Sequence, residues 1–364
     1  MTGFDYQARM QRARAEMAAR DVDVVLVSLG SDLPYLTGYA AMPLERLTMA
    51  VIPRDGEAVL VVPELEAPRV ETHPGVFAVH PWSETEDPIS VVTGLLRAGS
   101  TAMIGDQTWS VFLLALQSAA PGTKFVSARP LSEALRVVKE PLEIDLLRRA
   151  GASADVVAGL LAKHRFGGKT ESQVSREVAA LLEANGTDVA GFAIVASGPN
   201  GASPHHEPSD RVIGDGDAVV VDFGGKVGGY GSDTTRMFHV GEPTVRYREV
   251  HDTVVAAQRA GVAAVRPGVT ASSVDAAARR VIADAGYGDY FIHRTGHGIG
   301  LDGHEDPYII QGNQQVLAPG MAFSIEPGIY LPGEFGVRIE DIVVCTESGV
   351  ERMNRSSRQV AIVS

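Results

Sequence analysis

Residues 219–238 read VVVDFGGKVGGYGSDTTRMF. An apolar, β-branched run opens this stretch, a strand-like run closes it, and four glycines in six residues lie between them, which predicts a β-hairpin with a glycine-rich loop. The hairpin is expected to set Asp222 opposite Asp233. Directly opposed like charges destabilise a sheet, and an unpaired aspartate is rarely buried. The pair therefore indicates a bound cation or a shared proton, unless both aspartates are ordinary turn and cap residues.

The composition is that of a globular protein with about two domains. The chain has 364 residues, of which 45% are hydrophobic and 21% are charged. Its formal net charge is −13, which argues against a nucleic-acid-binding surface, since such surfaces are basic. Cys345 is the single cysteine, so an intrachain disulfide is excluded and a reducing, cytoplasmic location is expected. Neither a signal peptide nor an apolar run of the roughly 18–20 residues that span a membrane is expected.

The first part of the chain alternates predicted strands with predicted helices, which indicates an α/β domain over residues 1–135. Lys139-Glu140-Pro141 interrupts the helical pattern, because proline disfavours helix in the residue before it. A second domain is predicted over residues 136–364. The elements predicted in the first domain are strands over 22–27, 47–53, 57–63, 76–80, 101–104 and 124–127, and helices over 4–20, 65–71, 89–97, 111–118 and 131–138.

The second domain shows an internal repeat. A predicted helix begins after Thr170 and ends near Gly186, and another begins after Thr270 and ends near Gly286. Both ends are displaced by 100 positions, which is the signature of a duplicated structural unit. The alternative is a chance match between two ordinary α/β units.

Each copy of the repeat is expected to contribute two carboxylates. Glu326 follows an apolar run as Asp222 does, and Glu340 is the expected counterpart of Asp233. Two such hairpins would face each other across a pseudo-two-fold axis. Four carboxylates are too many for a usual zinc site built from His and Cys. They suit two divalent ions about 3.5–4 Å apart, bridged by carboxylates and a water molecule.

Histidines among glycines offer a nitrogen ligand for these ions. His293, His297 and His304 cluster in the second copy, and His205 and His206 adjoin in the first. A lone histidine is more often structural, whereas such a cluster of histidines indicates a functional site. Glycine on both sides of His297 is expected to let the backbone approach a metal closely.

These motifs resemble the pita-bread metallopeptidases, especially the Xaa-Pro dipeptidases (prolidases) and the aminopeptidase P enzymes. Besides Asp222 and Asp233, the matching segments are GHGIG at 296–300, SIEPG at 324–328 and RIED at 338–341. YLTGY at 35–39 and the α/β pattern resemble the creatinase-like N-terminal domain of that family. The resemblance implies an α/β creatinase-like domain followed by an α+β pita-bread domain with an internal pseudo-two-fold repeat.

The resemblance also implies the site residues. Two divalent ions, Mn²⁺ or Co²⁺ and alternatively Zn²⁺, would be held by Asp222, Asp233, His297, Glu326 and Glu340. Catalytic or orienting roles are implied for His205, His293, His304, Glu326 and Arg338. His205 is placed by its spacing from Ser197-Gly198, and His206 is the alternative for the same role.

The activity implied is that of a dinuclear metal-dependent peptidase that cleaves the Xaa-Pro bond of dipeptides through a metal-bridging hydroxide. Glu326 would move a proton from water to the leaving nitrogen, while His205 and His304 stabilise the oxyanion. The alternatives are aminopeptidase P activity on longer peptides and a non-catalytic binding protein on the same fold. A methionine aminopeptidase is disfavoured because those enzymes lack the extra N-terminal domain. A creatine amidinohydrolase is disfavoured because those enzymes do not keep the metal ligands, which are all present here. The expected partner is a small peptide with N-terminal Xaa-Pro rather than nucleic acid or membrane, and the family implies a homodimer.

Overall fold

The computed structural model describes residues 3–364. The chain divides into two compact units, Met1–Arg136 and Val137–Ser364. Within the described range, no helix combines the length and the apolar character that crossing a membrane requires.

The first unit contains one mixed sheet. Its strands are β1 (Val24–Val27), β2 (Met49–Pro53), β3 (Ala58–Pro63), β4 (Phe77–Trp82), β5 (Thr101–Ile104) and β6 (Lys124–Ser127). Its helices are α1 (Tyr6–Ala19), α2 (Asp32–Thr37), α3 (Pro88–Gly94), α4 (Ser110–Ala119) and α5 (Arg129–Arg136). The strand order is β4-β3-β2-β1-β5-β6, in which β2 is antiparallel to both neighbours and the other pairs are parallel. This architecture confirms the predicted α/β class.

Two short segments of the first unit differ from the prediction. The helix expected over 65–71 is only a 3₁₀ turn, Ala67–Arg69, which buries no side chain. Conversely, α2 was not predicted, because its six residues are too few to show a helical period. Tertiary burial of Leu33, Tyr35 and Leu36 accompanies the helix there.

The second unit holds four helices and twelve strands in its described elements. The helices are α6 (Pro141–Leu161), α7 (Glu171–Ala184), α8 (Val245–Ala264), which was not predicted, and α9 (Ala271–Asp284). The strands are β7 (Val189–Ser197), β8 (Ala218–Val227), β9 (Tyr230–Gly231), β10 (Thr234–Val240), β11 (Gly296–Gly298), β12 (Glu305–Ile309), β13 (Ala322–Ile325), β14 (Gly328–Leu331), β15 (Phe335–Arg338), β16 (Asp341–Thr346), β17 (Gly349–Arg352) and β18 (Ala361–Val363).

These strands form two five-stranded sheets and a ribbon. One sheet has the order β18-β10-β8-β7, with β9 paired to β8. The other has the order β12-β11-β13-β16-β17, and β14 pairs with β15 alone. The first sheet packs on α6 and α7 through a core that includes Val157, Val178 and Val221.

Backbone hydrogen bonds confirm the internal repeat. Around α7 and α9, amides of the segment that leads into each helix donate to carbonyls of a later loop. The donors are displaced by 100 positions and the acceptors by 104, the offset that also separates Asp222 from Glu326. The pairs are Gly168–Ile213, Glu171–Arg211 and Ser172–Ser209 in the first copy, and Gly268–Leu317, Ala271–Gln315 and Ser272–Asn313 in the second.

A buried ionic cluster joins the two copies. The Arg236 side chain of β10 donates through Nη2 to Asp341 Oδ1 of β16 at 2.7 Å and through Nη1 to the carbonyl of Glu340 at 2.6 Å. Arg358 Nε and Gln258 Nε2 donate to the other Asp341 oxygen at 2.7 and 2.9 Å. Asp341 is fully buried, so removing its charge would leave two guanidinium groups without their shared partner.

Asp341→Asn is therefore expected to lower the free energy of unfolding of the second unit by about 3 kcal/mol, because uncompensated charges stay buried. Calorimetry of chelator-treated protein measures this change without any contribution from a bound cation. The control is Asp145→Asn, whose side chain is 53% exposed in an ion pair with Arg148 and should cost less than about 1 kcal/mol. Equal melting temperatures for the two variants would contradict a structural role for the cluster.

Candidate metal centre

The first hairpin places its two aspartates on one face, but not opposite each other. Asp222 pairs with Thr235, and Phe223 pairs with Thr234. Because Lys226 pairs with Gly231 in the same register, Asp233 lies opposite Gly224. The prediction that Asp222 directly opposes Asp233 is wrong by this register. The two carboxylates are diagonal neighbours, since side chains two positions apart on a strand share a face.

The second hairpin arranges its carboxylates differently. Ile325 pairs with Asp341 on one side, and Gly328 pairs with Arg338 on the other. That register places Glu326 directly opposite Glu340, in the gap between the two ladders. In register, Glu340 therefore corresponds to Thr235 of the first hairpin, and the expected correspondence with Asp233 is wrong.

His297 is carried by β11, between β12 and β13. A Cβ at Gly296 would lie 1.9 Å from the carbonyl oxygen of Ser324, and one at Gly298 would lie 2.2 Å from that of Asp306. The flanking glycines thus admit the backbones of the neighbouring strands. The sequence analysis expected these two glycines to let the backbone approach a metal. The structure shows instead that they let the neighbouring strands pack closely against β11.

His297 presents a lone pair to the carboxylates. Its Nδ1 donates to the carbonyl of Gly298 at 3.1 Å, which leaves Nε2 of the neutral ring as an acceptor. Nε2 lies 3.3 Å from Glu326 Oε1 and 3.7 Å from Asp233 Oδ2. Burial, followed by the charge of His304, lowers the pKa of His297 to about 3. A neutral nitrogen facing carboxylate oxygens provides the donor set of a cation site.

The carboxylates repel each other strongly. Burial raises the pKa of Asp233 well above its usual value, and the charges of Asp222 and Glu326 raise it further. Burial likewise raises the pKa of Glu340, with Asp233 next in importance, and it raises the pKa of Glu326 to about 7.

Two of these carboxylate oxygens accept no hydrogen bond from the described residues. Asp222 Oδ1 and Glu340 Oε1 are buried without a hydrogen-bond partner among residues 3–364. Asp233, His297 and Glu340 can each offer one ligand atom within 4.8 Å of the others. Buried carboxylates with free lone pairs need cations, so the residues present fit divalent metal ions.

Arg338 is the cation that contacts this cluster. Its Nη2 donates to Asp222 Oδ2 at 2.7 Å, its Nε to Thr235 Oγ1 at 3.0 Å, and its Nη1 to Tyr330 Oη at 3.0 Å and to the carbonyl of Pro204 at 3.2 Å. Because it donates to four different residues, the guanidinium orients the residues around it.

His293 is also committed to protein partners. Its Nδ1 donates to the carbonyl of Arg294 at 2.6 Å, and its Nε2 accepts from Tyr330 Oη at 2.8 Å. Burial, followed by the charge of Arg338, lowers the pKa of His293 to about 3. Both ring nitrogens are thus used, and the ring supports Tyr330.

His304 keeps a donor for the cavity. Its Nδ1 accepts from Arg294 Nη2 at 3.2 Å, so the neutral ring carries its proton on Nε2. Its ring centre lies 3.9 Å from that of His297. Burial, followed by Arg294, lowers the pKa of His304, which favours this neutral donor form.

The two adjacent histidines of the first copy have separate environments. His205 lines the cavity. His206 Nε2 instead lies 3.0 Å from Glu171 Oε2, a fully buried carboxylate. The geometry thus favours His205 over His206 for a role in the cavity.

One cavity of about 510 Å³ collects the predicted side chains. All nine residues named from the sequence line it: His205, Asp222, Asp233, His293, His297, His304, Glu326, Arg338 and Glu340. The sequence analysis missed its apolar wall and one further cation, which are Phe192, Ile194, Pro204, Ile310 and Arg294. The apolar run FAIVA at 192–196 is the sequence signal that could have pointed to this wall, and the structure leaves Phe192 38% exposed.

Comparison with known proteins is consistent with this geometry. The family described as "Metallopeptidase family M24" matches residues 145–347, and the family described as "Creatinase/Prolidase N-terminal domain" matches residues 9–138. The chain is 44% identical over 363 residues to a probable dipeptidase, PepE, of Mycobacterium tuberculosis, covering 98% of this chain and 96% of that protein. It is 36% identical over 355 residues to an Xaa-Pro dipeptidase of Lactobacillus delbrueckii subsp. lactis, covering 94% and 95%.

A solved structure shows the same fold. The prolidase from Thermococcus sibiricus superposes with a TM-score of 0.95 at 37% identity, covering 98% of this chain and 99% of that one. The resemblance drawn from the motifs is thereby confirmed, including a creatinase-like domain before a pita-bread domain. The chain belongs to metallopeptidase family M24, and it is a metal-dependent hydrolase.

Proposed function

We propose that this protein hydrolyses the Xaa-Pro bond of dipeptides. The single observation that carries the proposal is the cavity that brings four carboxylates and a neutral imidazole together, with two carboxylate oxygens unpartnered among residues 3–364. The relatives named as Xaa-Pro dipeptidases support the choice of substrate. The homodimer and the cytoplasmic location implied by the family resemblance belong to the same proposal.

The proposed metal ligands are Asp222, Asp233, His297, Glu326 and Glu340. Four carboxylates suit two divalent ions, and Mn²⁺ or Co²⁺ is proposed ahead of Zn²⁺ because the oxygen donors are hard. When bound, such ions supply a water of lowered pKa and polarise the scissile carbonyl.

The chain's own residues divide the remaining work. The Glu326 carboxylate faces the cavity beside His297, where it can accept a proton from the attacking water and return it to the leaving nitrogen. His304 Nε2–H and His205 are placed to donate to the developing oxyanion. Arg338 and His293 orient the surrounding groups, since Arg338 donates to Asp222 and His293 accepts from Tyr330.

The cavity wall supports a short substrate that ends at its second residue. Arg294 is half-buried, lies 4.5 Å from the centre of the Tyr308 ring and donates to His304. No carboxylate of the described chain forms an ion pair with it, so its guanidinium can bind the free carboxylate of a dipeptide. Phe192 and Ile310 offer apolar surface for a pyrrolidine ring. Binding of this carboxylate favours dipeptides over the longer peptides of an aminopeptidase P.

Asp233→Asn is expected to reduce the bound metal, measured by elemental analysis after dialysis against Mn²⁺, from two ions per chain to at most one. The rise in melting temperature on adding Mn²⁺ should become smaller as well, because stabilisation by a ligand grows with the logarithm of its concentration relative to Kd. Asp284→Asn, at the exposed end of α9, is the matched control. Unchanged stoichiometry in the Asp233 variant would remove this residue from the ligand set.

His205→Ala is expected to lower kcat for Ala-Pro about 100-fold, since a donor to an oxyanion is worth that much. His206→Ala should lower kcat less than about 10-fold, because its ring faces Glu171. Steady-state kinetics at saturating Mn²⁺ separates the two. The opposite order would transfer the catalytic role to His206.

Chelated protein should be inactive and should recover hydrolysis of Ala-Pro with Mn²⁺ or Co²⁺, because the ions supply the activated water. Hydrolysis of Ala-Pro that survives exhaustive chelation would reject the metal mechanism.

In the reconstituted enzyme, Arg294→Gln should lower kcat/KM for Ala-Pro about 10–100-fold, since a hydrogen bond to a charged group contributes about 1.5–3 kcal/mol. Hydrolysis of Ala-Pro amide, which lacks the carboxylate, should change little. An equal loss on both substrates would show that Arg294 does not bind the substrate carboxylate.

A further inference from the structure

Glu171, the first residue of α7, is the centre of a buried hydrogen-bond cluster outside the metal ligands. Its side chain is fully buried. Oε1 accepts from the backbone N and the Oγ of Ser197, both at 2.7 Å. Oε2 accepts from the backbone N and the Oγ of Ser209 at 3.1 and 2.6 Å, and Asn200 Nδ2 lies 3.1 Å from both oxygens. His206 Nε2 adds a further contact at 3.0 Å.

These partners span the segment 197–209. Ser197 is the last residue of β7, and Ser209 belongs to the loop whose carbonyls accept from amides at the start of α7. Between them, Pro204 and His205 reach the cavity. One carboxylate therefore holds both ends and the middle of the segment that carries His205.

Glu171 stays ionised in this setting. Burial by itself raises the pKa of the carboxyl, but the hydrogen bonds from Ser209, Ser197 and Asn200 outweigh it and bring the pKa to about 2. A carboxylate that accepts this many hydrogen bonds holds its neighbours in one geometry.

The repeat shows that the fold alone does not require this carboxylate. In the second copy, α9 begins with Ala271, which makes the same backbone hydrogen bond, to Gln315, that Glu171 makes to Arg211. The helix start and the loop contact are thus built without a carboxylate in that copy. Glu171 occurs in the copy whose loop carries His205.

We propose that Glu171 is a positioning residue that holds the segment 197–209 so that His205 faces the reacting carbonyl. The role in turnover rests on the proposed function. The stabilisation of the segment 197–209 by Glu171 does not depend on substrate or metal, so it can be measured separately.

The test compares Glu171→Gln with Glu177→Gln, a matched change on the same helix at a side chain that is 38% exposed and paired with Lys169. In metal-free protein, amide exchange of the segment 197–209 should speed up about 10-fold or more in Glu171→Gln and stay unchanged in Glu177→Gln. The bound Mn²⁺ should be the same in both variants. Unchanged exchange in Glu171→Gln would overturn the proposal whatever the enzyme's substrate is.

A double-mutant cycle tests the link to His205. Glu171→Gln should lower kcat for Ala-Pro about 10-fold or more with KM within twofold, because small displacements of a reacting group are costly. In the His205→Ala background, the same change should lower kcat less than twofold. Equal losses in both backgrounds would show that Glu171 acts on general structure and not through His205.

Ser209→Ala provides a milder variant if Glu171→Gln folds poorly. It removes one donor and keeps the charge, so it should speed up exchange and lower kcat by smaller factors. The effect on kcat should again be seen only when His205 is present. A shift of kcat that persists without His205 would count against the proposal. If the wild-type enzyme does not hydrolyse Xaa-Pro dipeptides, the proposed function fails, while the exchange measurement still decides whether Glu171 holds the segment.

Discussion

Repulsion among four carboxylates around one cavity is the constraint on which the second unit depends. Burial and mutual charge raise the pKa of Asp233 and Glu340 well above their usual values. Arg338 contacts only one of the four, through Asp222. Such a cluster is unfavourable without bound cations, so the surrounding sheets must hold the carboxylates in place.

The contact between the two copies provides that support. Thr235 Oγ1 donates to Glu340 Oε2 at 2.8 Å and accepts from Arg338 Nε, while the Thr235 carbonyl accepts from Arg236 Nη1 at 2.9 Å. The buried cluster of Asp341 lies beside the same point of the chain. A residue of one copy therefore orients a carboxylate of the other, and the site geometry depends on packing across the repeat.

Duplication accounts for the backbone features that the two copies share, and divergence accounts for the residues that differ at the site. Both copies keep the helix start, the loop contact and a carboxylate at the same offset. They differ where Thr235 corresponds in register to Glu340, and where Glu171 corresponds to Ala271. The strand that leads to the cavity also differs, with nine residues in β7 and three in β11. The short β11 fits between two strands because Gly296 and Gly298 lack side chains.

The sequence by itself determined the α/β pattern and the repeat offset, because strand and helix periods and capping residues are local properties of the chain. Its motifs, through their resemblance to the pita-bread metallopeptidases, also indicated nine of the residues that line the cavity. The tertiary structure decided the register that places Asp222 opposite Thr235, the different environments of His205 and His206, and the availability of Arg294. It also revealed α2 and the buried hydrogen-bond cluster centred on Glu171. These features depend on which distant segments pack together, and neither the period nor the composition of a segment carries that information.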